Sequence, residues 1–293
     1  MIVSNLIGGL GNQLFQFAFG FAQAARHCVE LRVATDLFSG YGLHHGYELA
    51  QVFSVEPTQA NASDLQALLG PWRHTATRRL LSRWGPGIWR AGLAAFEPAP
   101  GWWSGVSRLG AQAYVHGYWQ SELYFAEHAF ALRRALQFRR LPSADNARWL
   151  ARLGNCVSVS VHIRGGDYVN NAKNRRIYAA CGPAYYRAAM DHIRSAHAGA
   201  RFFVFSDDVA WARHCLSDRL DAVEIVDFNR GAESWNDLRL MSQCQHQVIA
   251  NSSFSWWAAW LGERPGKTTI APRQWYLAPG RDQDLVPERW LRL

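Results

Sequence analysis

Val157-Ser158-Val159-Ser160-Val161-His162-Ile163-Arg164-Gly165-Gly166-Asp167-Tyr168 reads as a buried strand that ends on a glycine turn. β-Branched residues recur from Val157 to Ile163, the length and composition of a strand. The strand delivers an arginine onto two glycines. Downstream the pattern repeats. Pro183 to Ala196 is predicted as a helix, Arg201 to Phe205 as a strand, and Ser206-Asp207-Asp208 as the turn into a helix through Ala212. Val223 to Val226 is a strand, Trp235 to Gln243 a helix and Gln247 to Ala250 a strand. Asn251-Ser252-Ser253 opens a helix to about Leu261, and Thr268 to Ala271 is the last strand. Strands alternating with helices imply a parallel, doubly wound sheet.

The chain begins with the same alternation. Ile2 to Ile7 reads as a buried strand, Gly8-Gly9-Leu10-Gly11-Asn12-Gln13 as a turn, and Leu14 to roughly Arg26 as an apolar helix. Leu31 to Thr35 is a second strand. Met1 to Ala25 carries no charge, as a signal or membrane segment would. Its amides, its central glycines and its lack of a positive leading region favour a buried strand, turn and helix instead. Ala113 to Tyr118 is a further strand, with a helix from about Phe125. Pro142 to Asn155 reads as a hinge. The expectation is an α/β protein with domains at 1–150 and 151–293.

Of the 293 residues, 49% are hydrophobic and 18% charged, which supplies packed cores and argues against global disorder. The 14 tryptophans suit sugar-stacking surfaces, large cores or membrane-facing patches. A formal charge of +8 favours an anionic partner: nucleic acid, acidic lipid or a phosphorylated substrate. Five widely spaced cysteines show no CxxC or zinc spacing and read as reduced thiols of a cytosolic protein. Leu65 to Phe96 has no acidic residue and sets Arg73, Arg78, Arg79, Arg83 and Arg90 among Trp72, Trp84 and Trp89. It reads either as a solvated helical insertion with buried tryptophans or as a docking face for anionic membrane. No recognised nucleic-acid fold accompanies it, so no nucleic-acid partner is expected.

Ligands of open α/β sheets bind beyond the carboxyl ends of the strands, where four polar clusters fall. In His162 to Tyr168, Arg164 can grip a diphosphate with its fork of donors while glycines let the backbone approach. The alternative is an Arg164–Asp167 pair that staples the turn. Asn251-Ser252-Ser253-Phe254 opens a helix whose free N–H groups suit phosphate, or else Ser252 is an ordinary cap. Trp256, Trp257 and Trp260 fit core positions. Asp207 and Asp208 suit a divalent cation, a base or ribose, or a helix cap. The Gly8 to Gln13 loop matches neither GxGxxG nor a P-loop. Asn12 and Gln13 could hold a sugar or phosphate there, or merely cap.

Gly8-Gly9-Leu10-Gly11-Asn12-Gln13-Leu14-Phe15-Gln16, the HIRGGDY stretch, the FSDD stretch and Asn251 to Leu261 occur in that order. Together they resemble the α-1,2-fucosyltransferases of glycosyltransferase family 11. Gly117 to Glu122 and Asp237 to Ser242 are similar to family stretches as well. The resemblance implies a GT-B fold of two Rossmann-like domains facing a cleft, the first on the acceptor side and the second holding the donor. It implies inverting transfer of L-fucose from GDP-β-L-fucose to the 2-hydroxyl of a galactose-terminated glycan, with no cofactor and no metal. Arg164 would contact the β-phosphate, with His162 beside the nucleotide and Asp207 or Asp208 helping to read it. Ser252, Ser253 and Phe254 would line the diphosphate, with Asn251 and Asp167 alongside. Gly11 and Asn12 would contribute from the first domain. The family's usual second arginine is replaced here by Gly165. The general base is open, with Asp36, Glu48 and Glu122 as first-domain candidates. Other readings are a peptide O-fucosyltransferase or a non-catalytic GDP-sugar or glycan-binding protein. By class, the enzyme is expected in the cytoplasm, peripheral at the inner membrane face, where it would decorate a surface glycan.

Overall fold

The computed structural model describes residues 1–293 except 41, 43, 44, 86, 90, 91, 166–175, 279 and 281. The chain forms two compact units. Met1–Arg140 with Gln283–Leu285 makes the first, and Leu141–Asp282 with Val286–Leu293 the second.

The first unit is built on strands β1 (Ile2–Asn5), β2 (Leu31–Ala34), β3 (Thr58–Gln59), β4 (Gly87–Trp89), β5 (Ala94–Phe96) and β6 (Ala113–His116). Their order is β3-β2-β1-β6-β5-β4, parallel except for β4. Helices α1 (Leu10–Arg26), α2 (Leu49–Val52), α3 (Ala62–Leu69), α4 (Thr75–Trp84) and α5 (Ala129–Ala135) accompany it. α1 begins at Leu10, inside the stretch expected to be a turn, because buried amides hold the loop before it. Gln13 donates to the carbonyls of Gly8 and Gly46 and accepts from the N–H groups of Glu48 and Leu49. Gln16 accepts from the Ile7 N–H at 2.8 Å. Both amides therefore act as staples. The 65–96 stretch is mixed, since β4 and β5 follow α4.

The second unit carries β7 (Ser158–Ile163), β8 (Arg201–Ser206), β9 (Val223–Val226), β10 (His246–Val248), β11 (Thr269–Ala271) and β12 (Leu291–Arg292). All pairings are parallel, in the order β12-β11-β10-β7-β8-β9. Around them lie α6 (Ala144–Gly154), α7 (Pro183–Ala196), α8 (Val209–Cys215), α9 (Trp235–Gln243) and α10 (Ser253–Leu261). The expected hinge at Pro142 to Asn155 is instead α6, capped by Ser143 and packed on α9. The units divide at 140/141, so α6 belongs wholly to the second.

β7 is buried on both faces, as a central parallel strand must be. Val159, Val161 and Ile163 pack with Met190 and Ile193 of α7 in one core. Ser158, Ser160 and His162 take the opposite face by strand alternation. Trp256, Trp257 and Trp260 are buried in a stacked and edge-on cluster, as their spacing suggested. All five cysteines are free thiols.

Candidate functional site

The ligand edge of an open parallel sheet is strongest where the strand order reverses. The second sheet reverses at β7. The chain leaves through β8 and β9 on one side and returns through β10 to β12 on the other. The adjacent ends of β8, β7 and β10 thereby bring together Ser206 to Asp208, His162 to Gly165, and Asn251 to Phe254.

His162 is buried, and its Nδ1 has no hydrogen-bond partner among the described residues. Its ring lies 6.1 Å from that of Phe254. Burial, and then the Arg164 charge, pushes its pKa down to about 3, so the imidazole is neutral at neutral pH. A buried ring nitrogen without a protein partner is costly unless a bound molecule meets it.

Asp207 clamps the turn after β7. Its Oδ2 lies 3.1 Å from Arg164 Nη1, and its Oδ1 accepts the Gly165 N–H at 3.0 Å. The guanidinium is thus oriented from the neighbouring strand end. Asp208 caps α8, accepting the Trp211 N–H at 2.9 Å. The two carboxylates serve different partners and do not converge. Among the described residues no three metal-ligating side chains cluster. Asp167, the other expected partner of Arg164, lies outside the described residues.

Asn251 is buried. Its amide donates to the carbonyls of Ala179 and Trp275, and its Oδ1 lies 3.6 Å from Cys181 Sγ. It ties together the loops that border the site. Ser252 caps α10, accepting the Phe254 N–H at 3.3 Å. Ser253 and Phe254 are half-buried in the first turn, a helix start of the kind whose N–H groups suit an anion. The edge therefore offers a held guanidinium, a neutral imidazole and a helix start. That set suits the diphosphate of a nucleotide sugar.

Gly11 and Asn12 belong to the first unit. Asn12 sits in the first turn of α1, and its Oδ1 accepts from Gln120 Nε2 at 2.9 Å. The first sheet's carboxyl edge also holds groups that sequence reading missed. Arg78 is fully buried, paired with Asp36 and 3.2 Å from the Tyr114 hydroxyl. That hydroxyl donates to Asn5 Oδ1 at 3.1 Å and lies 3.0 Å from His116 Nδ1. Arg78 was counted with an exposed basic stretch. Its spacing of three from buried Leu81 was the available signal for an inward face. Of the base candidates, Asp36 is paired with Arg78, and Glu48 is buried, which raises its pKa. Glu97, just beyond β5, accepts two backbone N–H groups, from Tyr118 at 2.6 Å and Trp119 at 3.0 Å.

Two α/β units, each built on a largely parallel sheet, form the fold. The family model described as glycosyl transferase family 11 matches residues 102–292, and the chain belongs to that family. It is 31% identical over 295 residues to an α-1,2-colitosyltransferase of Escherichia coli, covering 100% of this chain and 99% of that one. The O-antigen biosynthesis glycosyltransferase WbnK of Escherichia coli is 32% identical over 139 residues, 47% of this chain and 45% of that one. Galactoside α-(1,2)-fucosyltransferase 1 of Saimiri boliviensis boliviensis is 33% identical over 103 residues, 35% of this chain and 28% of that one. Among solved structures, the fucosyltransferase NodZ from Bradyrhizobium aligns with a TM-score of 0.49 and 15% identity, covering 88% of this chain and 91% of that one. The chain is a glycosyltransferase of this family.

Proposed function

We propose that the enzyme is an inverting fucosyltransferase that moves L-fucose from GDP-β-L-fucose to the 2-hydroxyl of a galactoside in a surface glycan. The observation that carries this is the junction of the β7, β8 and β10 ends in a family 11 chain. There Arg164, His162 and the α10 N-terminus share one edge. As the bond between fucose C1 and the β-phosphate oxygen breaks, its electron pair goes to GDP. Arg164 and the α10 N–H groups stabilise that charge, already oriented before the reaction. The acceptor hydroxyl attacks from the opposite face and gives up its proton to a general base or to solvent, which inverts the anomeric centre. Asp207 orients the guanidinium, and the proposed transfer uses no metal. Gly11 and Asn12 of the first unit are proposed to take part in transfer.

The experiment is GDP release from GDP-fucose, with and without β-galactosides, in EDTA, with product linkage read by NMR. Acceptor-dependent release of an α-1,2-linked fucoside is expected. An α-1,2-linked product formed only from a colitosyl donor, or a fucosylated peptide, would replace the donor or the acceptor in this reading. GDP binding without turnover would replace the enzyme with a binding protein.

The proposal includes a peripheral contact with the cytoplasmic face of an anionic membrane. Among the described residues no helix is long and apolar enough to cross one. The outward face of α4 supports such a contact: Trp84 is 72% exposed and Leu80 45%, beside exposed Arg79 and Arg83. No acidic residue occurs between Leu65 and Phe96.

A further inference from the structure

Beyond the phosphate edge, the first unit contains a backbone cradle that the proposed mechanism does not use. After β6 the chain turns through Gly117, Tyr118, Trp119 and Gln120. Trp119 is a non-glycine residue in the left-handed region, with φ +54°, a conformation that costs on the order of 1–3 kcal/mol and persists only where the surroundings impose it. Two things impose it. The Trp119 ring is fully buried and stacks on Phe19 of α1, with centroids 4.1 Å apart. Beneath it, the successive N–H groups of Tyr118 and Trp119 converge on one anion, the Glu97 carboxylate, one to each oxygen. Successive N–H groups around a left-handed residue form an anion nest, here filled by a side chain of the same unit. Gly117 is part of the fit: a Cβ there would lie 2.3 Å from Glu97 Cβ.

The turn leads to Gln120, whose amide donates to Asn12 Oδ1 in the first turn of α1, just after β1. Glu97 therefore lies two links from Asn12: through the turn to Gln120, and from Gln120 to Asn12. We infer that Glu97 is a positioning residue for transfer, holding the 117–120 turn through an ionised carboxylate so that Gln120 reaches Asn12. The inference rests on the proposed transferase reading for its effect on turnover, but not for the hold on the turn.

Protonation breaks the hold. A neutral carboxyl places an O–H where one N–H needs an acceptor, and that N–H loses its partner. Desolvation raises the Glu97 pKa to about 7, although the two backbone bonds lower it, so the change falls near neutrality. The neighbours do not titrate with it. Tyr124 interacts with the Glu97 charge from the following turn, and burial raises its pKa far above neutrality. His116, on the adjacent strand, touches Glu97 through its carbonyl, which accepts the Glu97 N–H at 2.9 Å. Its ring stacks on Phe96 on the other face, and burial holds it neutral, with a pKa of about 3.

The test follows the Tyr118 and Trp119 amide resonances by NMR across pH 5.5–8.5, together with acceptor kcat/KM, in the full chain and in Glu97→Gln. In the wild type both amides should shift with a midpoint near 7, and kcat/KM should fall as pH drops through that midpoint. Glu97→Gln should abolish the shift, flatten the acid limb and lower kcat/KM by about tenfold at pH 8. Gln120→Ala guards against a variant that fails to fold. It should keep the amide titration and still lose about tenfold in kcat/KM. Amides that do not titrate in the wild type overturn the hold itself, whatever the substrate. Titrating amides with an unchanged acid limb in Glu97→Gln, or wild-type kcat/KM in Gln120→Ala, overturn the link to turnover. A wild type that transfers no fucose while its amides titrate overturns the transferase reading and supports the hold.

Discussion

Asp207 reaches across from the end of β8 to hold Arg164 at the end of β7, 3.1 Å from Nη1, while taking the next backbone N–H with its other oxygen. The carboxylate holds both the turn and the guanidinium, so in the proposed role Arg164 would meet a diphosphate with little reorganisation. Arg164→Lys keeps the charge and loses the fork. Turnover should fall at least about tenfold, roughly 1.4 kcal/mol of barrier. Asp207→Asn keeps an acceptor for Gly165 and loses the ionic hold, so a smaller fall with weaker GDP binding is expected. Steady-state kinetics and GDP calorimetry check both. Wild-type values for Arg164→Lys would remove Arg164 from the phosphate role.

The second unit was legible because its strands and helices alternate cleanly and each polar cluster closes a strand. Val223 to Val226, Pro183 to Ala196 and Trp235 to Gln243 match the observed elements to the residue. The first unit was less legible where neighbours distant in sequence decide the structure. β4 and β5 are three residues each; β5 pairs with β6 and β4 only with β5, so no local pattern announces them. Arg78 is buried only because Asp36 and Tyr114 lie 42 and 36 residues away to receive it. Glu97 sits after a short strand, and its partners are backbone N–H groups, which leave no trace in side-chain patterns. The place of Asp207 at a strand end was legible, but its partner was not, since one carboxylate can serve a cation, a ribose or an arginine.

Acid should destabilise the fold through its neutral histidines. Burial pushes His162 and His116 down to about 3 and His246 down to about 4. The unfolded chain binds those protons below about pH 6.5 while the native chain refuses them, so stability is full above that pH and falls towards 4. Glu97 and Asp237 act with the opposite sign. Raised to about 7 by desolvation, they take protons in the native state first, so they lose stability as pH rises towards 7. Glu48, raised by burial as well, acts with those two carboxyls, so the two sets offset each other and the histidine share is read by substitution. His162→Gln should change the slope of the urea midpoints between about pH 4.5 and 6.5 by about one proton. An unchanged slope would mean that the imidazole charges within the native fold.

The α4 face makes a separable prediction. Arg79→Gln with Arg83→Gln should weaken co-sedimentation with vesicles containing acidic lipid. Raising the salt on the wild type should do the same. Trp84→Ala should weaken binding without that salt dependence. These exposed changes should leave stability within about 0.5 kcal/mol and fucose transfer to a soluble acceptor intact. Vesicle binding that survives all three would place the contact elsewhere or remove it.

Gly165 stands where the resemblance leads one to expect a second arginine, and the packing around it explains the glycine. A Cβ there would lie 2.8 Å from both Asp208 Cβ and Trp211 Cδ1, closer than carbon atoms settle without displacement. Trp211 belongs to α8, whose start Asp208 caps, so the helix cannot retreat without losing that cap. Gly165→Ala should cost about 1–3 kcal/mol of stability through overpacking. Turnover should fall as well, because the same turn aims Arg164. Gly165→Arg should do worse alone. Trp211→Ala removes the indole but leaves Asp208 Cβ 2.8 Å and its own Cβ 2.9 Å from the added atom. Combined with Gly165→Arg it should therefore recover only part of the loss, a coupling of about 0.5–1 kcal/mol in a double-mutant cycle. Additive effects would show that the indole is not what excludes a side chain at 165.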